Sequence, residues 1–305
     1  MSGRTGGGEN RTTQPPERAP GNGFLADIRF SLERWLRKTS RNPFVTFSSL
    51  VQPIIFFVLM AEVFGAIAAG ALAQSVGTDV HYVTYLAPAI VIQSALAGAA
   101  VSGIGLVKDV DSGMFAKTLV SPMGRGAMFL GKVAAEVVRI AIQTAIILLL
   151  GAVMIALEPG VAVADYLRTG LPGAVGIVAV VVLFGGVFMA FSNVVALVSR
   201  DEEATIMIAN LLTFPLLFVS SAFVPLAVLP GWVQSVAVLN PVTYGVDAVR
   251  ALLLGEDVMT VLEVSVFGGL WDTLVPALAV LLAFNLVLGS MAVRLLSRAS
   301  RAEVQ

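Results

Sequence analysis

Six apolar stretches, separated by short charged connections, dictate the architecture of this chain. They cover roughly 45–69, 85–107, 137–157, 172–198, 206–228 and 274–295, and each reaches the ~20 residues an α-helix needs to cross about 30 Å of hydrocarbon. A backbone in lipid must satisfy its own hydrogen bonds, so stretches of this length fold as helices. Composition agrees: 57% of residues are hydrophobic and 13% charged, against about 25% charged in a soluble domain. The expected fold is an all-α membrane protein with six transmembrane helices.

The third stretch shows how an edge is set. Its 13 Leu, Ile and Val residues between Val133 and Leu157 favour insertion by roughly 4–8 kcal/mol. One charge at mid-membrane costs about 2.5–3.5 kcal/mol. Glu136 and Arg139 would cancel most of the gain, so they are expected at the water boundary. Orientation follows from the basic residues. Of the 19 Lys and Arg, only Arg168 and Arg250 fall on the side opposite the rest. Both termini are therefore expected in the cytoplasm, in a multi-pass protein of the cell membrane. Trp35 falls at the inner boundary, and Tyr82, Tyr85, Tyr166, Trp232, Tyr244 and Trp271 in or beside the outer connections, where an aromatic belt belongs.

Cysteine is absent and His81 is the single histidine, which excludes disulfides, thiolate metal sites, thiol nucleophiles and His-paired zinc. No catalytic, cofactor-binding or metal-binding residue is assigned, and no nucleic-acid partner is expected. The run "GAMFLGKV", Gly126 to Val133, imitates a nucleotide-binding P-loop. It lacks the final Ser or Thr that binds magnesium, and it opens into a membrane span rather than a soluble domain. It is expected to be a membrane-entry turn with Lys132 near the headgroups, and the chain is expected to bind no ATP.

Residues 1–23, rich in Gly, Pro and Arg, read as a disordered cytoplasmic tail, and 297–305 as a second tail. Residues 24–42 carry Phe24, Leu25, Ile28, Leu32, Trp35 and Leu36 on one helical face and Asp27, Arg34, Arg37 and Lys38 on the other. That is an N-terminal amphipathic helix at the membrane interface, either an anchoring collar or a gate that also meets a cytoplasmic partner. Within the six-span domain, 43–296, the connection 108–136 combines capping residues, Asp109, Asp111 and Ser112, with Met114, Phe115, Leu119 and Val120. Apolar residues in such a position suit a docking surface or packing beneath the bundle. Between spans five and six, 229–256 is cut by Pro230-Gly231 and Asn240-Pro241 into helices too short to cross. It reads as an outer re-entrant or surface helix pair, with Trp232 and Tyr244 in it and Asp247 and Arg250 spaced to neutralise each other.

Two of these segments carry a resemblance. "GMFAKTLVSPMGRGAMFLGK" resembles the first cytoplasmic loop of ABC-2-type transporter permeases, and "FVSSAFVPLAVLPGWVQSVAVLNPVTYGVDAVRALLLG" resembles their C-terminal signature. The nearest likeness is to drug-resistance and nodulation-type permeases; one departure is Ser220-Ser221, where many relatives have Ser-Gly. The resemblance implies the membrane subunit of an ATP-driven exporter, working as a homodimer with two copies of a separate ATPase that holds the ATP and Mg. It implies that Asp109, Asp111, Gly113, Phe115, Leu119, Pro122 and Arg125 contact that ATPase. Polar residues within spans, Gln93, Asn193, Asn210, Thr213 and Asn285, either line the cargo route or bind neighbouring helices. Glu62 is a further pathway candidate. Cargo would be a lipophilic or amphipathic compound, a lipid or a glycan. An ion-coupled transporter or channel, or a scaffold without transport, are the alternatives.

Overall fold

The computed structural model describes residues 23–41, 43–75, 80–111 and 125–302. Among the described residues every regular element is helical: α1 (Phe24–Arg41), α2 (Pro43–Ser75), α3 (Tyr82–Asp111), α4 (Arg125–Leu157), α5 (Val163–Tyr166), α6 (Gly170–Ser199), α7 (Glu202–Phe218), α8 (Gly231–Ala237), α9 (Pro241–Leu254) and α10 (Leu270–Ala302), with a 3-10 turn at Leu226–Val228. Four stretches are long and apolar enough to cross a membrane: Tyr82–Gly105, Leu130–Leu157, Val163–Ser199 and Leu270–Leu295. A fifth arises if α8 and α9, bent by 82° at their break, count as one. One of the six expected spans is shorter than the sequence implies. α2, at 33 residues, covers the whole first stretch, but α7 ends at Phe218 after 17 residues, where the fifth span was expected to reach residue 228.

Local chemistry sets the helix ends. Arg200 closes α6 in the left-handed conformation and its N–H reaches the Ala196 carbonyl. One residue later Asp201 opens α7 by accepting from the Ala204 N–H at 2.7 Å, with Glu202 and Glu203 in the favourable first turn. Asn240 caps α9, Pro241 occupies its first turn, and Gly255 ends it with φ 75°, the Pro-first, Gly-last arrangement that suits a helix.

α3 is the axis of the bundle. Its apolar stretch is 82% buried, against 17% for α10, which lies at the periphery. Small residues along α3 let its neighbours come close. Ser192 of α6 donates to the Ala100 carbonyl at 2.9 Å and accepts from the Gly103 N–H at 3.1 Å; a Cβ on Gly103 would collide with it. On the far side α1 packs on α4, where Gly131 makes room for the buried Ser31. Phe24 and Leu25 stay largely exposed, as an interfacial helix requires.

Several expectations change on contact with the structure. Gly126 to Lys132 is continuous helix at the start of α4, not a turn. Lys132 is buried, donates to the Ser102 carbonyl at 2.8 Å and stands 5.6 Å from the Trp35 ring centre, so its charge is spent on α3 and α1 rather than on headgroups. Glu136 and Arg139 are buried within the bundle as an ion pair, and Arg139 also donates to the Gly98 carbonyl. A pair with further hydrogen bonds is far cheaper to bury than either ion alone. Tyr82, Tyr85, Tyr166 and Tyr244 are buried against protein, whereas Trp232 and Trp271 are exposed.

Candidate functional site

Two polar sites stand out, and α3 contributes to both. The first joins α3 to the bent helix pair. Asn240 serves two helices: its Oδ1 accepts from the Val242 N–H at 3.0 Å, and its Nδ2 donates to the Leu216 and Val219 carbonyls at 2.7 and 2.6 Å. The start of α9 is thereby fastened to the end of α7. Pro230 precedes α8, and the Tyr244 hydroxyl donates to the Val238 carbonyl at 2.7 Å, closing the corner between α8 and α9. Every residue of α9 is buried, so this short helix is a core element rather than a surface one.

Asp247 and Arg250 lie at its centre. Their nearest charged atoms are 3.5 Å apart, and the pairing expected from their spacing is present but is the weaker part of a larger network. Asp247 accepts from the Ser221 hydroxyl at 2.6 Å and from the Thr260 N–H and hydroxyl at 2.9 and 2.6 Å. Arg250 donates to the Ser221 and Tyr85 carbonyls at 2.9 and 3.3 Å and sits 3.9 Å above the Tyr85 ring. Buried charges are tolerable only when paired and hydrogen-bonded, and here only the Arg250 Nε is left without a partner among the named polar atoms. The network ties four segments together, and the Ser220-Ser221 departure noted in the sequence supplies one of its hydroxyls.

The second site is a cavity of about 260 Å³. α2 and α7 both pack against α3, and the space left between them is lined by Ser49, Gln52 and Pro53 of α2, Gln93 and Ala97 of α3, and Asn210 and Thr213 of α7, among others. Phe223, which follows α7, bridges the two helices at the end nearer the bent pair, with ring centres 5.3 Å from both Phe56 and Phe218. The polar side chains differ in how they are engaged. Thr213 donates to the Ala209 carbonyl at 2.8 Å, and Ser49 accepts from Gln143 at 2.8 Å. Gln93 is buried, and neither amide atom has a hydrogen-bond partner. An unpaired buried amide costs about 1–3 kcal/mol.

Three of the six pathway candidates, Gln93, Asn210 and Thr213, thus converge on one cavity. The other three do not line it. Asn285 donates to the Leu183 carbonyl at 2.8 Å, binding α10 to α6. Asn193 is buried in α6 with its Oδ1 unpartnered. Glu62 is exposed on α2. Of the ATPase-contact candidates, Gly113, Phe115, Leu119 and Pro122 lie outside the described residues. Asp109 and Asp111 belong to the last turn of α3, which extends past the expected end of span two, and Arg125 begins α4; the side chains of these three, and any helix the two Asp residues would cap, lie outside the described residues. Sequence reasoning missed Tyr85, Ser221 and Thr260, and also the aromatic bridge. Only the Ser-Ser pair carried a signal, as a departure from an expected Ser-Gly.

An all-helical chain with several apolar spans, buried charge networks and a cavity opening beside its central helix defines a polytopic membrane protein. Its sequence fixes the family. Residues 27–254 match the model of the ABC-2 type transporter, and the chain belongs to that family. It is 25% identical over 250 residues to the probable doxorubicin resistance ABC transporter permease protein DrrC of Mycobacterium tuberculosis, covering 80% of this chain and 85% of that one. It is 26% identical over 223 residues to the daunorubicin resistance ABC transporter permease protein DrrB1 of Streptomyces coeruleorubidus, covering 73% and 69%. The putative transport permease ycf38 of Cyanophora paradoxa shares 26% over 236 residues, covering 75% and 74%.

Proposed function

We propose that this chain is the cargo-conducting subunit of an ATP-driven exporter in the cell membrane, and that the cavity between α2, α3 and α7 is part of the cargo route. The observation that carries this reading is the convergence of Gln93, Asn210 and Thr213 on that cavity, in a family of transport permeases. α2 and α7 count as crossings, which makes six, and the even number leaves both termini in the cytoplasm. The bent pair α8–α9 then enters the membrane from the outer side and returns, held against protein as such backbone must be.

ATP and magnesium are bound and hydrolysed by a separate ATPase. The connection from Asp109 to Arg125, with Phe115 as its apolar knob, seats in that subunit. α3 supports this mechanically: one end leads directly into the connection, and the other is held at Tyr85 by the Arg250 network. A second copy of the chain completes the pathway, and two ATPase copies complete the complex. The relatives named for doxorubicin and daunorubicin resistance favour a lipophilic or amphipathic cargo, and a cavity lining without charge among the described residues suits one.

Reconstitution with a partner ABC ATPase tests the reading. Accumulation of a lipophilic fluorescent cargo in proteoliposomes should require ATP hydrolysis and be insensitive to an imposed ion gradient. Transport driven by an ion gradient without ATP would contradict it.

A further inference from the structure

The cavity deepens that reading, because its lining selects a chemistry. We propose that it binds the uncharged hydroxyl or carboxamide group of a lipophilic molecule, and that Gln93 recognises this group. The inference rests on taking the cavity as part of the cargo route.

Three observations lead there. Gln93 is 2% exposed, lines the cavity, and leaves both atoms of its amide without a partner. A buried polar group in that condition has its hydrogen bonds waiting for something absent from the folded chain. Second, among the described residues no charged side chain lines the cavity. The buried charged groups among the described residues are engaged elsewhere, Glu136 with Arg139, Asp247 with Arg250, Lys132 with the Ser102 carbonyl and Asp272 with the Phe267 and Gly268 N–H groups, so an ionic guest would find no counter-charge and would be costly to desolvate. Third, an amide both donates and accepts. Its full complement is a group that does the same, which selects a hydroxyl or carboxamide over a quaternary ammonium, an ester or an ether.

Size limits what enters. About 260 Å³ falls below the ~300–1,000 Å³ of pockets that enclose a drug-sized molecule. The cavity therefore takes the polar end of the guest, and the apolar remainder extends along the exposed faces of α2 and α7, where Ile55, Leu59, Met207 and Leu211 are accessible.

The test uses the full-length chain in phosphatidylcholine nanodiscs, a lipid whose head group has neither hydroxyl nor carboxamide. Four photoreactive probes share one diazirine-bearing alkyl tail and differ only in the head: carboxamide, hydroxyl, carboxylate or trimethylammonium. The carboxamide and hydroxyl probes should label the α3 and α7 peptides containing Gln93 and Asn210 at least fivefold more than the charged ones. Gln93→Leu should lower that labelling roughly three- to tenfold, the range one hydrogen bond supplies. Gln93→Glu should raise labelling by the trimethylammonium probe severalfold, an exchange of preference that mere loosening of the helix would not produce. Asn210→Leu, on the exposed wall, should reduce labelling without disturbing the buried one, and serves if Gln93→Leu does not fold. Equal labelling by all four heads, or labelling indifferent to both leucine variants, would overturn the proposal. ATP-driven flux with no labelling at the cavity would overturn this proposal alone. Selective labelling without ATP-driven flux would support the site while overturning the export reading.

Discussion

The guanidinium of Arg250 lies 3.9 Å above the ring of Tyr85 and donates to that residue's own carbonyl at 3.3 Å, although 165 positions separate the two. The contact joins the first turn of the central helix to the middle of a short helix buried on all sides. A planar guanidinium can stack and donate at once; an ammonium cannot do both in this geometry.

Arg250→Ala is accordingly expected to destabilise the protein by about 3–5 kcal/mol, because Asp247 is left buried without its counter-charge. Arg250→Lys should retain only part of the loss. Asp247→Asn combined with Arg250→Gln should recover stability relative to Arg250→Ala, since no ion then remains uncompensated. Equilibrium unfolding in detergent micelles checks all three.

The α3–α4 seam makes a parallel prediction. Arg139→Met alone strands Glu136 and should cost about 3–5 kcal/mol, whereas Glu136→Gln with Arg139→Met should lie close to the natural chain. A double-mutant cycle on unfolding free energies measures the coupling. Additive single losses would contradict the buried pairing.

Asn240→Ala removes a helix cap and the donor for two carbonyls of α7. The expected cost is about 2–4 kcal/mol, one part from the cap and one from the orphaned carbonyls. Limited proteolysis should then cut the segment between α7 and α9, whereas the natural chain is expected to resist cleavage there.

How much of this was legible beforehand depended on distance along the chain. Asn240-Pro241 announced a helix boundary because capping acts within a turn, and the i,i+3 spacing of Asp247 and Arg250 announced their pairing. Their stronger partners, Tyr85, Ser221 and Thr260, could not be read, since only tertiary packing brings them together. The same limit hid the burial of Lys132, whose acceptor is the carbonyl of Ser102 on another helix. Of six polar candidates inside the spans, the three facing the cavity carry no pattern that separates them from Asn285, which bonds α6 instead. Which face a helix turns to its neighbours decides that, and a uniformly apolar span has too weak a periodicity to show its faces.

Phe115→Asp tests the coupling assignment. A carboxylate where an apolar knob should enter a groove is costly to bury. The ATPase should no longer copurify, and export should fall with it, while the fold of the permease is unchanged by circular dichroism. Undiminished copurification and export would remove Phe115 from the contact.

Because the natural chain has no cysteine, a single introduced thiol reports on one location. Asn210→Cys, in the cavity wall, and Ser235→Cys, exposed on α8, can each be blocked with a bulky maleimide before assembly with the ATPase. The measurement is ATP-dependent cargo flux into proteoliposomes at complete labelling. Flux should fall to background for the blocked Asn210→Cys protein and remain near normal for blocked Ser235→Cys. Full flux through a completely blocked Asn210→Cys protein would contradict a cargo route through the cavity between α2, α3 and α7.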